Sequence, residues 1–247
     1  MRPLLSNESR MIDRFGLLTL VTIATIVLLM LINVDPQQHG VLHVWEMVGA
    51  SILVAITLVL ALRASGLSRR YQRVADIMVL LVITVVIIVG IVESLGGRVT
   101  STAGPAPGFV VILAVCAPIA VIARLVRHRE ITRGTLLGAI SGYLLIAVAF
   151  FYLFMLVGEF SGDHFFGERE TTQAYMYFSL VTITTTGYGD LTAHSDLGRL
   201  LATSEAVIGQ IYLVTFVAMI VGLFVAGRQT FRLSGDPDAS GENTPPR

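Results

Sequence analysis

The 247-residue chain is 54% hydrophobic and only 14% charged, with a mean hydropathy of +0.78, against roughly 25% charged residues in soluble domains, which argues against a soluble globular enzyme. Seventeen acids balance seventeen bases, and every base is Arg, so no basic excess points to nucleic acid. Cys116 is the only cysteine and sits in an apolar run; this excludes an intramolecular disulfide and a thiolate-rich metal cluster and reads as a small buried apolar side chain.

A bilayer core about 30 Å thick needs about 20 apolar residues per helix. Six apolar runs approach that length, at 15–34, 44–62, 77–92, 109–123, 136–158 and 200–227. The third and fourth are short unless their flanks join the helix. The first follows Arg2, Arg10 and Arg14 but exceeds a signal-peptide core and is followed by Asn33-Val34-Asp35-Pro36 rather than a small-residue cleavage pattern, so it reads as a retained helix.

Arginine placement sets the orientation, because bases stay on the cytoplasmic side during insertion. The N-terminus, the second-to-third linker (Arg63, Arg69, Arg70, Arg73), the fourth-to-fifth linker (Arg124, Arg127, Arg129, Arg133) and the tail (Arg228, Arg232, Arg247) together hold fourteen, while only Arg98, Arg169 and Arg199 lie on the other side. Both termini are therefore expected in the cytoplasm. Segments 35–40 and 104–108 read as extracellular Pro/Gly turns, and the polar tail reads as disordered.

Between the fifth and sixth runs, residues 175–185 are apolar and aromatic but only half a membrane long, and they lead into Thr185-Thr186-Gly187-Tyr188-Gly189-Asp190. That is a re-entrant pattern, and irregular backbone at membrane depth is tolerated only where protein or a water-filled cavity surrounds it. Gly187 and Gly189 alternate with residues that carry side chains, so alternating backbone handedness could turn successive carbonyls toward one axis. Such carbonyls, with the Thr185 hydroxyl, can replace the hydration shell of a cation. The preceding helix starts near Thr171 or Thr172, either of which could cap it, and its C-terminal partial negative charge would face the ion.

This segment resembles the tetrameric potassium channel superfamily, whose signature reads Thr-Val-Gly-Tyr-Gly-Asp after a pore helix; the match is Thr185, Gly187, Tyr188, Gly189 and Asp190, with Thr186 in the place of the usual Val or Ile. The resemblance implies K⁺ ligation by the carbonyls of Thr185, Thr186, Gly187 and Tyr188 and by the Thr185 hydroxyl, with Asp190 bracing the outer mouth. Val181 stands where some two-helix bacterial channels carry a Glu bound to the filter Asp, so Asp190 lacks that partner. Tyr177 could donate to it instead, and the pair Tyr177-Phe178 resembles the family's aromatic cuff.

Residues 191–209 align without gaps on the inner helix of two-helix potassium channels, matching Gly198-Arg199 and placing Gly209 at the hinge glycine; close helix packing is an equal reading of Gly209. From Gln210, helical spacing puts Leu213 or Val214, Val217, Val221 and Val225 on one face, which in the resembled architecture lines the cavity and gates by dewetting. Glu205 lies in the outer half of this helix, where an ionised carboxylate costs up to about 3 kcal/mol, so it needs a partner. Ser179, Thr182 or a pore-helix backbone group are candidates, for a filter brace or a proton sensor. The segment 159–199 carries Glu159, Asp163, Glu168, Glu170, Asp190 and Asp196 against Arg169 and Arg199, a net −4 per chain, and fourfold assembly would focus about −16 at the entrance. His164 and His194 read as exposed bystanders.

Four helices before a pore pair resemble the voltage-gated channels, yet 109–123 contains no base, and Arg124 and Arg127 fit positive-inside anchoring better than gating. Glu46 and Asp76 lie at opposite ends of their helices, and Pro118 is expected to kink the fourth span. Gly134, Gly138 and Gly142 form a small-residue face on the fifth span, suited to tight helix contact. The short 124–133 stretch favours a four-helix domain packed on its own pore.

The expected fold is an all-α integral membrane protein with six transmembrane helices, a re-entrant pore helix and a filter, assembled as a tetramer. Its plan is a cytoplasmic N-terminus at 1–14, a four-helix domain at 15–127, a linker at 128–134, a pore domain at 135–227 (outer helix 135–159, pore helix 172–184, filter 185–190, inner helix 198–227) and a disordered cytoplasmic tail at 228–247. With the resemblance, this implies a homotetrameric potassium-selective channel in a prokaryotic inner membrane, contacting lipid, not an enzyme, with K⁺ as permeant ion and no cofactor. The alternatives are a voltage-dependent channel with an atypical sensor and a non-conducting regulatory subunit; intact Thr185 and the paired glycines argue against the latter.

Overall fold

The computed structural model describes residues 3–31, 41–64, 108–127, 133–160, 165–168 and 170–234, together with isolated positions between 73 and 91. Among the described residues the fold is all helical. It comprises α1 (Pro3–Leu31), α2 (Val41–Ala64), α3 (Gly108–Arg127), α4 (Arg133–Phe160), the short α5 (Thr172–Ile183) and α6 (Asp196–Ser234). The segments Gly134–Glu159 of α4 and Asp196–Met219 of α6 are long and apolar enough to cross a membrane, with shorter apolar segments at Phe15–Leu31, Ile52–Arg63 and Val110–Val126.

The helices outrun the apolar runs. α1 begins at Pro3, inside the polar segment assigned to the N-terminus, and stops at Leu31. α3 recruits its basic flank as far as Arg127 and continues through Pro118 without a break. α6 extends to Ser234, so 228–234 are helical rather than part of a disordered tail. The physical reason is common to all three: hydropathy marks the buried length of a helix, whereas the backbone ladder continues into polar sequence that contains no breaker. The turns at 35–40 and 104–107, the linker at 128–132 and the tail beyond 234 lie outside the described residues, as do Asp163, His164, Arg169 and most of the third span; within that span the described positions are helical.

α4 is the hub and packs against α1, α3, α5 and α6. Its spaced glycines explain how. A side chain at Gly138 would meet Phe15 of α1 and Leu125 of α3 at 3.0 Å, and one at Gly142 would meet Tyr212 Oη of α6 at 2.8 Å. The two missing side chains thus admit Phe15 of α1 and Leu125 of α3 at one level and Tyr212 of α6 one turn further on. Arg124 lies over the Phe15 ring at 5.6 Å from its centroid, a cation–π contact at the same junction.

Hydroxyls join α1 to its neighbours. Thr19 Oγ1 lies 2.7 Å from Ser141 Oγ of α4, and Thr25 Oγ1 lies 2.6 Å from Thr57 Oγ1 of α2. All four residues are buried. In an apolar setting, where burial alone does not drive helices together, such interhelical hydrogen bonds supply the association. α1 and α3 both pack on α4. Cys116 differs from expectation: it is exposed on the outer face of α3, because helical spacing turns it away from the buried line of Ala114, Ala117 and Val121.

Candidate functional site

Thr171, extended at φ −76° and ψ 160°, is the N-cap of α5 and accepts from the Ala174 amide through its side chain. The helix ends twelve residues later, and its last carbonyls receive the chain that follows. The Thr184 amide donates to Leu180 O at 3.2 Å, Thr185 to Thr182 O at 2.9 Å, and Thr186 and Gly187 both to Val181 O at 2.9 and 3.4 Å. Ile183 O accepts instead from Tyr143 Oη of α4 at 3.0 Å. The carbonyls that a helix end leaves unpaired are thereby all engaged, and the start of the following segment is fastened to α5 by its backbone amides and by the Thr184 hydroxyl.

From there the backbone alternates. Positive φ occurs at Thr185 (55°), Gly187 (56°) and Gly189 (79°), with ordinary values at Thr186 and Tyr188 between them. The glycines take this conformation without steric cost, whereas Thr185 is a β-branched residue in the left-handed region, a strained state found where function demands a particular carbonyl direction. Residues 184–190 are exposed, Tyr188 at 71%. The Thr186 hydroxyl, the departure from the usual Val, pairs with Thr184 Oγ1 at 2.9 Å, and Thr184 Oγ1 donates back to Leu180 O at 2.7 Å.

At the outer end, Tyr177 Oη donates to Asp190 Oδ2 at 2.8 Å. Behind it opens a cleft of about 630 Å³ between α5, the 187–193 segment and α6, lined by Tyr177, Val181, Thr182, Asp190, Arg199 and Thr203 among others. Phe178 also lines this cleft but is largely buried, its ring 5.1 Å from that of Phe154 and 5.3 Å from that of Phe166. Phe165 joins the same cluster, and Gly198 is the residue that lets α6 pass it, since a side chain there would meet Phe165 Cε2 at 2.9 Å.

Glu205 is fully buried, at 0% exposure. Ser179 Oγ lies 2.6 Å from Glu205 Oε1 and 2.8 Å from Ala147 O, so one serine ties the pore helix to both flanking helices. Glu205 Oε2 has no hydrogen-bond partner among the described residues. Gly209 sits against the pore-helix end: a side chain there would lie 2.7 Å from Ile183 Cγ1 and 2.8 Å from Ile183 O. α6 is continuous through it, and close packing is what the contact requires of the glycine. Gln210 Nε2 donates to Thr185 Oγ1 at 3.0 Å. Leu213, Val214 and Val217 are exposed, while the side chains of Val221 and Val225 lie outside the described ones. Across the helix, Tyr212 Oη donates to Ala139 O at 2.7 Å.

Sequence reasoning passed over Tyr143, Thr184 and Tyr212. Tyr143 and Tyr212 are aromatic residues in apolar runs and carry no spacing signal; only the hydroxyl on an otherwise apolar helix could have marked them as seeking a partner.

Residues 138–226, from α4 into α6, match the family model described as ion channel. Over 78 residues the chain is 42% identical to two pore potassium channel b of rice, Oryza sativa subsp. japonica, which covers 31% of this chain and 20% of that protein. Over 85 residues it is 35% identical to two pore potassium channel a of the same plant, covering 34% and 22% respectively. This segment is similar to members of the potassium channel superfamily. The chain spans about a fifth of the length of these curated relatives. Both family and relatives are ion channels, not enzymes. No solved structure matches the chain. The relatives are plant proteins, so the expectation of a prokaryotic host rests on the sequence resemblance alone.

Proposed function

We propose that this chain forms a potassium-selective pore in which four copies surround a common axis, each supplying α4, α5, the 185–190 filter and α6. The observation that carries the reading is the alternation of positive φ at Thr185, Gly187 and Gly189 directly after a helix whose C-terminal end is fastened to that strand. Alternation of this kind turns successive carbonyls of Thr185, Thr186, Gly187 and Tyr188 the same way, and one such strand becomes a cation cage only when repeated around an axis. Conduction is passive: a cation sheds water into the oxygen ladder and is displaced by the next.

The exposed surface of α6 supports fourfold assembly. Leu200, Val207, Ile208, Ile211 and Val214 are all exposed, as are Tyr188 and the cleft behind the filter, and all of these are surfaces that a second copy would cover. The arginine distribution supports six spans with both termini cytoplasmic. With no base between 109 and 123, the reading does not include steep voltage gating, which needs several charges per subunit within the field.

The test is flux. Purified full-length chain in liposomes with a K⁺ gradient is expected to pass K⁺ and exclude Na⁺, and Gly187→Asp, which places a side chain at φ 56°, is expected to abolish the flux. Comparable Na⁺ flux would overturn the selectivity; K⁺ flux unaffected by Gly187→Asp would overturn the filter assignment.

A further inference from the structure

The Thr185 hydroxyl has two polar neighbours with opposite chemistry. It donates to Thr184 O at 2.7 Å, and it accepts from Gln210 Nε2 at 3.0 Å. A threonine hydroxyl has one proton and two lone pairs. With the proton committed to Thr184 and one lone pair to Gln210, a single lone pair is left on an exposed oxygen at the inner end of the filter. The Gln210 amide nitrogen lies toward this oxygen, the orientation in which Thr185 keeps its proton on Thr184 O.

We propose that Gln210 is the positioning residue of the innermost cation site, holding the Thr185 hydroxyl as an acceptor so that its free lone pair is available to the entering ion. The inference rests on the conducting reading above. Without the amide donor, the hydroxyl is free to rotate its proton toward the cavity, where it would face the cation with the wrong sign; reorienting it would then cost part of the binding free energy that a preorganised ligand keeps. The device also explains why Gln210 follows Gly209. Because Gly209 lies against Ile183 O, α6 approaches closely enough for the next side chain to reach the filter base. The filter's inner oxygen is thereby tied to the position of the inner helix as well as to the pore helix.

The probe is Ba²⁺, a divalent cation of nearly the size of K⁺ that enters the same oxygen ladder and leaves slowly, applied from the side of the α6 C-terminal end to full-length protein in liposomes. Gln210→Met keeps the length of the side chain and removes the donor. It is expected to raise the half-blocking Ba²⁺ concentration about tenfold, the equivalent of one hydrogen bond, and to add nothing in a Thr185→Ala background. The K⁺ concentration that half-protects the purified protein against thermal unfolding reads the same site without flux and is expected to shift in parallel, again only with Thr185 present. No shift in either measurement, or equal shifts in both backgrounds, overturns the inference. Wild-type protein that passes no K⁺ overturns the conducting reading instead, so the two failures are distinct.

Discussion

The two ends of the filter are held in different ways. At the inner end four backbone amides fold back on the pore helix, Tyr143 engages Ile183 O, Gly209 brings α6 into contact with the same carbonyl, and Gln210 reaches Thr185. At the outer end one exposed side-chain bond joins Tyr177 to Asp190, beside an open cleft of about 630 Å³. Among the described residues the inner end makes more contacts within the chain than the outer end does. An open outer cleft fits a part that is finished by a neighbouring copy.

Substitutions that attack this contrast should have graded effects. Gly209→Ala should have the largest. The added methyl falls 2.8 Å from the Ile183 carbonyl oxygen, and backbone cannot step aside as a flexible side chain can. Overpacking of this kind costs about 1–3 kcal/mol, and here it would push α6 off the filter base; thermal unfolding of the purified protein should show the loss, with K⁺ flux falling in parallel. Unchanged stability would mean that the inner end is looser than its contacts imply.

Ser179→Ala comes next. It removes the hydrogen-bonding partner from Glu205 Oε1 while Oε2 already lacks one, leaving a buried carboxyl group with neither oxygen engaged, at a cost of about 2 kcal/mol. The double variant Ser179→Ala/Glu205→Met should recover most of that loss, because replacing both members of a buried polar pair by apolar groups is close to neutral. If Ser179→Ala alone is neutral in thermal unfolding, Glu205 finds another donor in the assembled protein.

Much of this inner end was legible in the sequence and much was not. The filter itself was readable because glycine spacing is a local signal: Gly187 and Gly189 announce positive φ on their own. Thr185 in the same backbone state carries no such mark, since nothing about threonine favours that region. Glu205 was recognisable as needing a partner, and the helix lengths on either side brought Ser179 within reach. Tyr143 and Tyr212 were invisible because each acts across 40 or more residues of chain, through a hydroxyl that composition counts as part of an apolar run. The helical residues 228–234, where a disordered tail is expected, have a different reason, the continuation of the backbone ladder past the apolar sequence.

Tyr212→Phe removes one bond, to Ala139 O. The ring still fills the notch at Gly142, so the expected cost is about 1 kcal/mol, visible as a modest drop in unfolding temperature. The shape of α4 against α6 should persist, and flux should change less than in Gly209→Ala.

Tyr177→Phe should have the smallest effect of the four on a single chain, because the bond to the exposed Asp190 faces solvent and a solvent-facing bond to a carboxylate is screened by water and salt. It is also the substitution that separates the two ends most sharply. A drop in unfolding temperature smaller than that of Tyr212→Phe, and dependent on salt, would place the outer bond in water. A drop that equals or exceeds it, and that disappears when the assembly is dissociated, would mean that a second copy covers Tyr177 and Asp190 and removes them from solvent. The outer end of the filter would then be the end at which the subunits recognise one another.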